Sequence, residues 1–116
     1  MGKHILVDLD GTLATYDHWR GVDHIGQPIP ETVNLIKRLL SEGKEVRIFT
    51  ARMADKDAIR RAWARDYIQD WCLEHLGHVL DVTNVKDFDS SALIDDRAIA
   101  VEFNTGKILG GNMELL

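Results

Sequence analysis

The sequence predicts an α/β fold: one three-layer α/β/α domain built around a mainly parallel sheet. Short apolar runs of strand length alternate with longer amphipathic segments, which is the order expected when helices connect parallel strands. The chain has 116 residues, so we expect a single domain spanning residues 1–116. Its composition, 45% hydrophobic and 28% charged, is typical of a globular protein.

The first half of the chain predicts one strand, one loop and one helix. Residues 5–7 form an apolar run that stops at an Asp-x-Asp-Gly sequence. Residues 14–28 have no clear period and predict a loop. Pro30 begins a helix because its fixed φ suits the first turn, and Gly43 ends that helix. The apolar stripe of this helix consists of Val33, Ile36 and Leu40.

The second half continues the alternation of strands and helices. Residues 46–49 predict a strand, and residues 56–76 predict the longest helix. Residues 78–85 are ambiguous and fit a short strand, whereas residues 92–94 are a clearer one. The domain closes with residues 99–103 and a glycine-rich tail, 106–116.

Polar side chains follow three of the predicted strands. Asp8 and Asp10 follow the first, Thr50 the second, and the pair Asp95 and Asp96 the strand at 92–94. Ligands of parallel α/β sheets bind beyond the carboxyl ends of the strands. We therefore expect the active site at this edge of the sheet.

Four carboxylates at one sheet edge require a cation or a raised pKa. Two carboxylates about 4 Å apart repel by roughly 4 kcal/mol at an effective dielectric constant of about 20. Hard oxygen ligands without a cysteine or an ordered histidine set favour Mg²⁺. The predicted metal ligands are Asp8, Asp10, Asp95 and Asp96.

The spacing of the first motif suggests how its residues divide the chemistry. Asp8 and Asp10 are two residues apart, so an extended backbone projects both side chains the same way. One can attack phosphorus while the other handles the proton of the leaving group. Gly11 allows a sharp turn close to a ligand, and Thr12 offers a hydroxyl and a backbone N–H.

Three segments together resemble the haloacid dehalogenase superfamily, whose members are mostly phosphatases. The heptapeptide at residues 7–13, VDLDGTL, is similar to its first motif. Residues 48–50, IFT, match the second motif, and residues 93–96, LIDD, match the fourth. The resemblance covers nearly the whole chain.

The resemblance implies a role for each matching residue. Asp8 would form an aspartyl-phosphate and bind Mg²⁺, while Asp10 would act as general acid and base and bind the metal through its backbone carbonyl. Thr50 would hydrogen-bond the phosphoryl oxygens. Asp95 would complete the metal shell, with Asp96 a direct ligand or a partner of one.

The third motif of this superfamily supplies a lysine, and Lys86 is the best-placed candidate. The interval from Lys86 to the acidic pair is shorter than the superfamily's usual one, which suggests that a helix is missing there. Arg52 and Arg20 are the alternative sources of positive charge. Arg52, two residues after Thr50, is also a candidate contact for phosphate.

Neither interval that holds a cap domain in larger relatives is long enough for one here, so we expect a capless phosphatase with an open site. His18, Trp19 and Arg20 lie in the loop at residues 14–28 and can overhang that site. The substrate is then a phosphorylated small molecule or a nucleic-acid end. The alternatives are a polynucleotide 3′-phosphatase of the same superfamily and a non-catalytic phosphate-binding module.

Charge and cysteine content add further expectations. The net charge of −5 gives no global positive field for nucleic acid or an anionic membrane. Cys72 is the single cysteine and is expected to be a buried small hydrophobic residue rather than a nucleophile. No segment reads as a signal peptide or a membrane span, so we expect a cytoplasmic protein. The oligomeric state stays open.

Overall fold

The computed structural model describes residues 3–116, and a four-stranded parallel sheet forms its centre. The order across the sheet is β3-β2-β1-β4, which makes β1 an inner strand hydrogen-bonded to both β2 and β4. The strands are β1 (His4–Asp8), β2 (Glu45–Phe49), β3 (Val82–Thr83) and β4 (Ser90–Ile94). The predicted α/β class with a mainly parallel sheet and no large cap is confirmed, and the arrangement is compatible with a Rossmann-like fold.

Two long helices begin and end at the signals that the sequence carries. α1 (Pro30–Ser41) starts at the predicted proline. α2 (Ala58–Leu76) starts two residues later than predicted, because the Asp57 side chain caps it by accepting from the amides of Ile59 and Arg60. Gly77 ends α2 in the left-handed conformation, at φ +79°.

The hydrophobic core lies between the helices and one face of the sheet. Side chains alternate along a strand, so Val7, Val46 and Ile48 all point to this face, where they join Ile36 of α1 and Ile68 of α2. The two helices also contact each other, so both cover the same face. No helix within residues 3–116 is both long and apolar enough to cross a membrane.

Cys72 of α2 lies inside this core, as predicted. Its side chain is fully buried, and burial raises the pKa of the thiol to about 12. A thiol in that state carries almost no thiolate at neutral pH, so it is a packing residue and not a nucleophile.

The opposite face of the sheet is crossed by an irregular segment. Residues 84–89, which connect β3 to β4, contain no helix, in line with the short interval noted in the sequence. Asp87 of this segment lies 3.3 Å from His4 Nε2 and 3.7 Å from Arg47. The segment thus reaches the beginning of β1, and a separate antiparallel pair, β5 (Ala100–Val101) and β6 (Ile108–Gly110), follows β4.

One substitution tests whether α2 is held by this core. We expect Ile68→Ala to lower the free energy of unfolding by about 2–5 kcal/mol, since it removes a fully buried side chain and leaves a cavity. Leu73→Ala on the same helix is the matched control, because Leu73 is 55% exposed. Urea unfolding measures both, and equal losses would contradict the assigned orientation of α2.

Candidate functional site

The site begins with a tight turn directly after β1. Asp8 is the last residue of the strand, and the carbonyl of Leu9 then accepts hydrogen bonds from the amides of residues 12, 13 and 14, at 3.2, 2.9 and 2.9 Å. Gly11 has φ +88°, which only glycine adopts at little cost. The turn therefore brings Asp10 and Thr12 back beside Asp8.

The neighbouring strand delivers the second half of the site. Val7 of β1 pairs with Ile94 of β4, so the next residues, Asp8 and Asp95, leave the sheet side by side. One carboxylate oxygen from each of Asp8, Asp95 and Asp96 lies within 4.8 Å of the others. Three of the four predicted metal ligands are thus together; the Asp10 carboxylate is outside this group.

Gly11 and Thr12 hold Asp96 in that group. The Thr12 hydroxyl donates to Asp96 Oδ1 at 2.9 Å and accepts from the Asp96 amide at 3.0 Å. A Cβ at Gly11 would come within 3.0 Å of Asp96 Oδ2, so a larger residue would push the carboxylate away. Both residues were predicted as phosphate contacts, and the structure gives them this positioning role.

Burial and crowding change the acidity of the cluster. Burial raises the pKa of Asp8 to about 7, aided by its hydrogen bond with Asp96 and by repulsion from Asp95 and Asp96. Burial works against the shift at Asp96, but hydrogen bonds from Asp8 and Thr12 lower the pKa of that carboxyl. The two carboxyls therefore share a proton when no cation neutralises them.

The donor set fits a hard divalent cation. All three groups are carboxylates, and their oxygens are close enough for one ion to contact each of them. Mg²⁺ suits such a set, although the geometry does not select Mg²⁺ over other hard divalent ions. A cation at this point would remove the repulsion that the shared proton otherwise relieves.

Arg52 forms an ion pair with Asp10, the second acidic residue of the first motif. Its Nε and Nη2 donate to the two oxygens of Asp10 at 2.8 and 2.9 Å, in a bidentate ion pair, and its side chain is 5% exposed. The same guanidinium donates to the carbonyl of His24 at 2.9 Å and lies 4.9 Å from the centre of the Trp19 ring. Arg52, predicted to contact phosphate, is thus a partner of Asp10.

That arginine also fastens the loop at residues 15–28 over the site. The base of the loop is closed by a hydrogen bond from the Thr15 amide to Gln27, at 2.8 Å. Next to this closure, the Trp71 indole of α2 donates to the carbonyl of Gly26 at 3.1 Å. The loop is therefore held at three places.

A cavity of 710 Å³ lies between this loop and the acidic edge of the sheet. Asp10, Gly11 and Asp96 line it on the acidic side, and Arg97 adds a positive charge. The remaining wall is formed by the aromatic and small residues Tyr16, Trp19, Ala51 and Ala54, with Arg52 and Asp55. A ligand in this cavity would touch the acidic cluster at one end and aromatic rings at the other.

Two predicted phosphate contacts, Thr50 and Lys86, do not line this cavity. Thr50 is 3% exposed, and its hydroxyl accepts from the Arg52 amide at 3.1 Å, which caps a short 3-10 turn (Ala51–Ala54). Lys86 is exposed and lines a different cavity, beside β4 and Phe103. A phosphate contact for Lys86 stays a prediction, and the segment 84–89 that carries this lysine contains no helix.

Arg20, the other alternative cation, pairs with Asp17 in the exposed part of the loop and does not line the cavity. Sequence reasoning missed Tyr16 and Arg97 as cavity residues. For Arg97 the available signal was its place directly after the acidic pair. For Tyr16 no sequence signal distinguished it from other loop residues.

Comparison with known proteins adds support for the fold. A conserved protein from Bacteroides thetaiotaomicron matches with a TM-score of 0.58 and 22% identity, covering 95% of this chain and 84% of that one. At this level of identity the likeness concerns the fold alone. A scan against protein-family models and a search of curated proteins each gave no match.

The charge cluster predicts an unusual response to mutation. In EDTA, at a pH well above the raised pKa of Asp8, we expect Asp8→Asn to raise the melting temperature by about 4 °C, because it removes one of three repelling charges. Mg²⁺ should stabilise the wild type and have little effect on this variant, as measured by calorimetry. Asp66→Asn, on the exposed side of α2, is the control and should keep the full Mg²⁺ response. A Mg²⁺ response that survives Asp8→Asn would contradict the assigned metal ligands.

Proposed function

We propose that this chain is a Mg²⁺-dependent phosphomonoester hydrolase of the haloacid dehalogenase type, with Asp8 as nucleophile. The observation that carries the proposal is the group formed by Asp8, Asp95 and Asp96 within 4.8 Å, of which Asp96 lines a cavity large enough for a phosphorylated metabolite. A purely structural cluster would have no need of three mutually repelling carboxylates beside an open cavity.

The cation would be held by Asp8, Asp95 and Asp96. When bound, it would supply positive charge that neutralises these carboxylates and the oxygens of the substrate phosphate. Phosphoryl transfer depends mainly on such neutralisation and on positioning, and both are what a rigid sheet edge can offer.

The remaining chemistry falls to two side chains. A carboxylate oxygen of Asp8 attacks phosphorus, and the bond between phosphorus and the ester oxygen breaks as an aspartyl-phosphate forms. Asp10, once it has taken up a proton from solvent, gives that proton to the departing alkoxide, which leaves as an alcohol. Asp10 then takes a proton from water as that water attacks phosphorus, and phosphate leaves with Asp8 regenerated.

The Arg52 pair sets a condition on the role of Asp10. Both of its oxygens accept hydrogen bonds from Arg52, so one of these contacts must open before Asp10 can exchange a proton with the leaving group. Arg52 keeps its contacts with the His24 carbonyl and the Trp19 ring, which hold the guanidinium in place during that change.

Arg97 is the cation that we assign to the substrate phosphate. Of the two arginines that line the cavity, Arg52 is already paired with Asp10, whereas Arg97 follows Asp96 directly and draws down its pKa by Coulomb attraction. A guanidinium that lines the cavity and is not engaged with Asp10 can contact phosphate oxygens and leave the Asp10–Arg52 pair in place.

A second candidate function is a non-catalytic phosphate-binding module on the same fold. The bidentate Asp10–Arg52 pair favours it, because it occupies the residue that would move the proton. Such a module would bind phosphate and a cation without turning over any ester. For either function, a buried free cysteine fits a reducing compartment such as the cytoplasm.

Turnover separates the two functions. With Mg²⁺ and an aryl phosphate we expect hydrolysis that disappears in Asp8→Asn and slows by about 10²–10⁴-fold in Asp10→Asn, which loses its proton-transfer group. The readout is phosphate release, and Asp89→Asn, outside the site, is the control. If the protein binds Mg²⁺ and phosphate but both aspartate variants match the wild type in phosphate release, the binding module is the better account.

A comparison of two variants tests which basic side chain contacts the substrate phosphate. We expect Arg97→Ala to raise KM by about tenfold, since it removes a charged contact to the phosphate. Lys86→Ala should leave KM within about twofold, because Lys86 lines another cavity. The reverse ranking in steady-state kinetics would restore the lysine to the site.

A further inference from the structure

We infer that the cavity takes a phosphate ester whose leaving group is a nucleoside, with the base stacked on Trp19. This inference deepens the proposed function and rests on it for the reaction, but the base-binding site can be tested without turnover. Its basis is the juxtaposition of an aromatic wall and an acidic cluster across one cavity.

The aromatic residues of the cavity are held in place and exposed. Trp19 is 55% and Tyr16 50% exposed, yet both lie in a loop that is fastened at its base, at Gly26 and at Arg52. The Arg52 guanidinium lies 4.9 Å from the centre of the Trp19 ring, which fixes the indole at the cavity wall. An exposed aromatic ring that is held in one place is suited to stack against a flat ligand.

Some polar residues of the cavity already have partners in the protein, and others can contact a ligand. Asp55 receives hydrogen bonds from the Arg60 side chain and the Asp57 amide, so it belongs to the start of α2. Arg52 is paired with Asp10. What remains for a ligand is a phosphate end at Arg97 and the acidic cluster, and a flat apolar end at the aromatic wall.

The size of the cavity favours a nucleoside over a smaller aromatic alcohol. Its volume of 710 Å³ is in the middle of the range for sites that enclose whole metabolites, whereas a phenol would leave most of it empty. Every base has a flat face, so stacking on an indole recognises the class rather than one base. The same chemistry is present in a free nucleotide and at the phosphorylated end of an oligonucleotide.

The first experiment measures binding alone. Titration followed by NMR should show that adenosine binds to the wild-type protein with Mg²⁺, whereas ribose does not. Trp19→Ala should weaken adenosine binding by about tenfold, the loss expected from one stacking contact. Trp63→Ala is the matched control, because Trp63 is 54% exposed on α2 but does not line the cavity. Equal binding of adenosine and ribose, or equal effects of the two tryptophan variants, would overturn the inference.

The second experiment measures kcat/KM for adenosine 5′-monophosphate, ribose 5-phosphate and an aryl phosphate. A preference of about tenfold or more for the nucleotide, lost in Trp19→Ala, supports the inference. Equal turnover of the three esters overturns it while leaving the phosphatase intact. Adenosine binding without turnover of any ester supports the base site and contradicts the proposed reaction. A 3′-phosphorylated oligonucleotide, compared at low and high salt, then shows which source of nucleotide is preferred.

Discussion

The mutual repulsion of Asp8, Asp95 and Asp96 is the constraint on which this site depends. Two neighbouring parallel strands are followed by acidic residues at the same level of the sheet, and their hydrogen-bonded register brings the carboxylates within 4.8 Å of one another. The turn at Gly11 and the hydroxyl of Thr12 then hold the last carboxylate within that group. The repulsion among these carboxylates destabilises the folded protein, and a shared proton or a bound cation removes that repulsion.

Arg52 connects this acidic edge to the rest of the cavity. Its guanidinium forms an ion pair with Asp10, lies over the Trp19 ring and donates a hydrogen bond to the carbonyl of His24. The group that we propose for proton transfer and the ring that we propose for substrate recognition therefore share a neighbour. A movement of the loop at residues 15–28 would therefore shift Arg52 relative to Asp10, and a change in the charge of Asp10 would alter the contacts between Arg52 and the loop.

The sequence was sufficient for the parts of the molecule that local patterns determine. The apolar runs predicted the four strands of the parallel sheet, and the acids after β1 and β4 predicted a carboxylate cluster that the structure forms from Asp8, Asp95 and Asp96 but not from the Asp10 side chain. The Asp10–Arg52 pair was beyond sequence reasoning because the partners are 42 residues apart, and only the register of β1 on β2 brings the segments that follow these strands together. The surroundings of Lys86 were beyond sequence reasoning too, since they depend on the path of residues 84–89 across the sheet.

The most direct test of the account is a crystal structure of the protein grown with Mg²⁺ and beryllium fluoride, a mimic of a phosphoryl group bound to aspartate. We expect density for the cation in contact with Asp8, Asp95 and Asp96, with the beryllium fluoride bonded to a carboxylate oxygen of Asp8 and its fluorines facing Arg97. A cation bound elsewhere, or beryllium fluoride absent from Asp8 at saturating concentration, would contradict the claim that this carboxylate is the nucleophile.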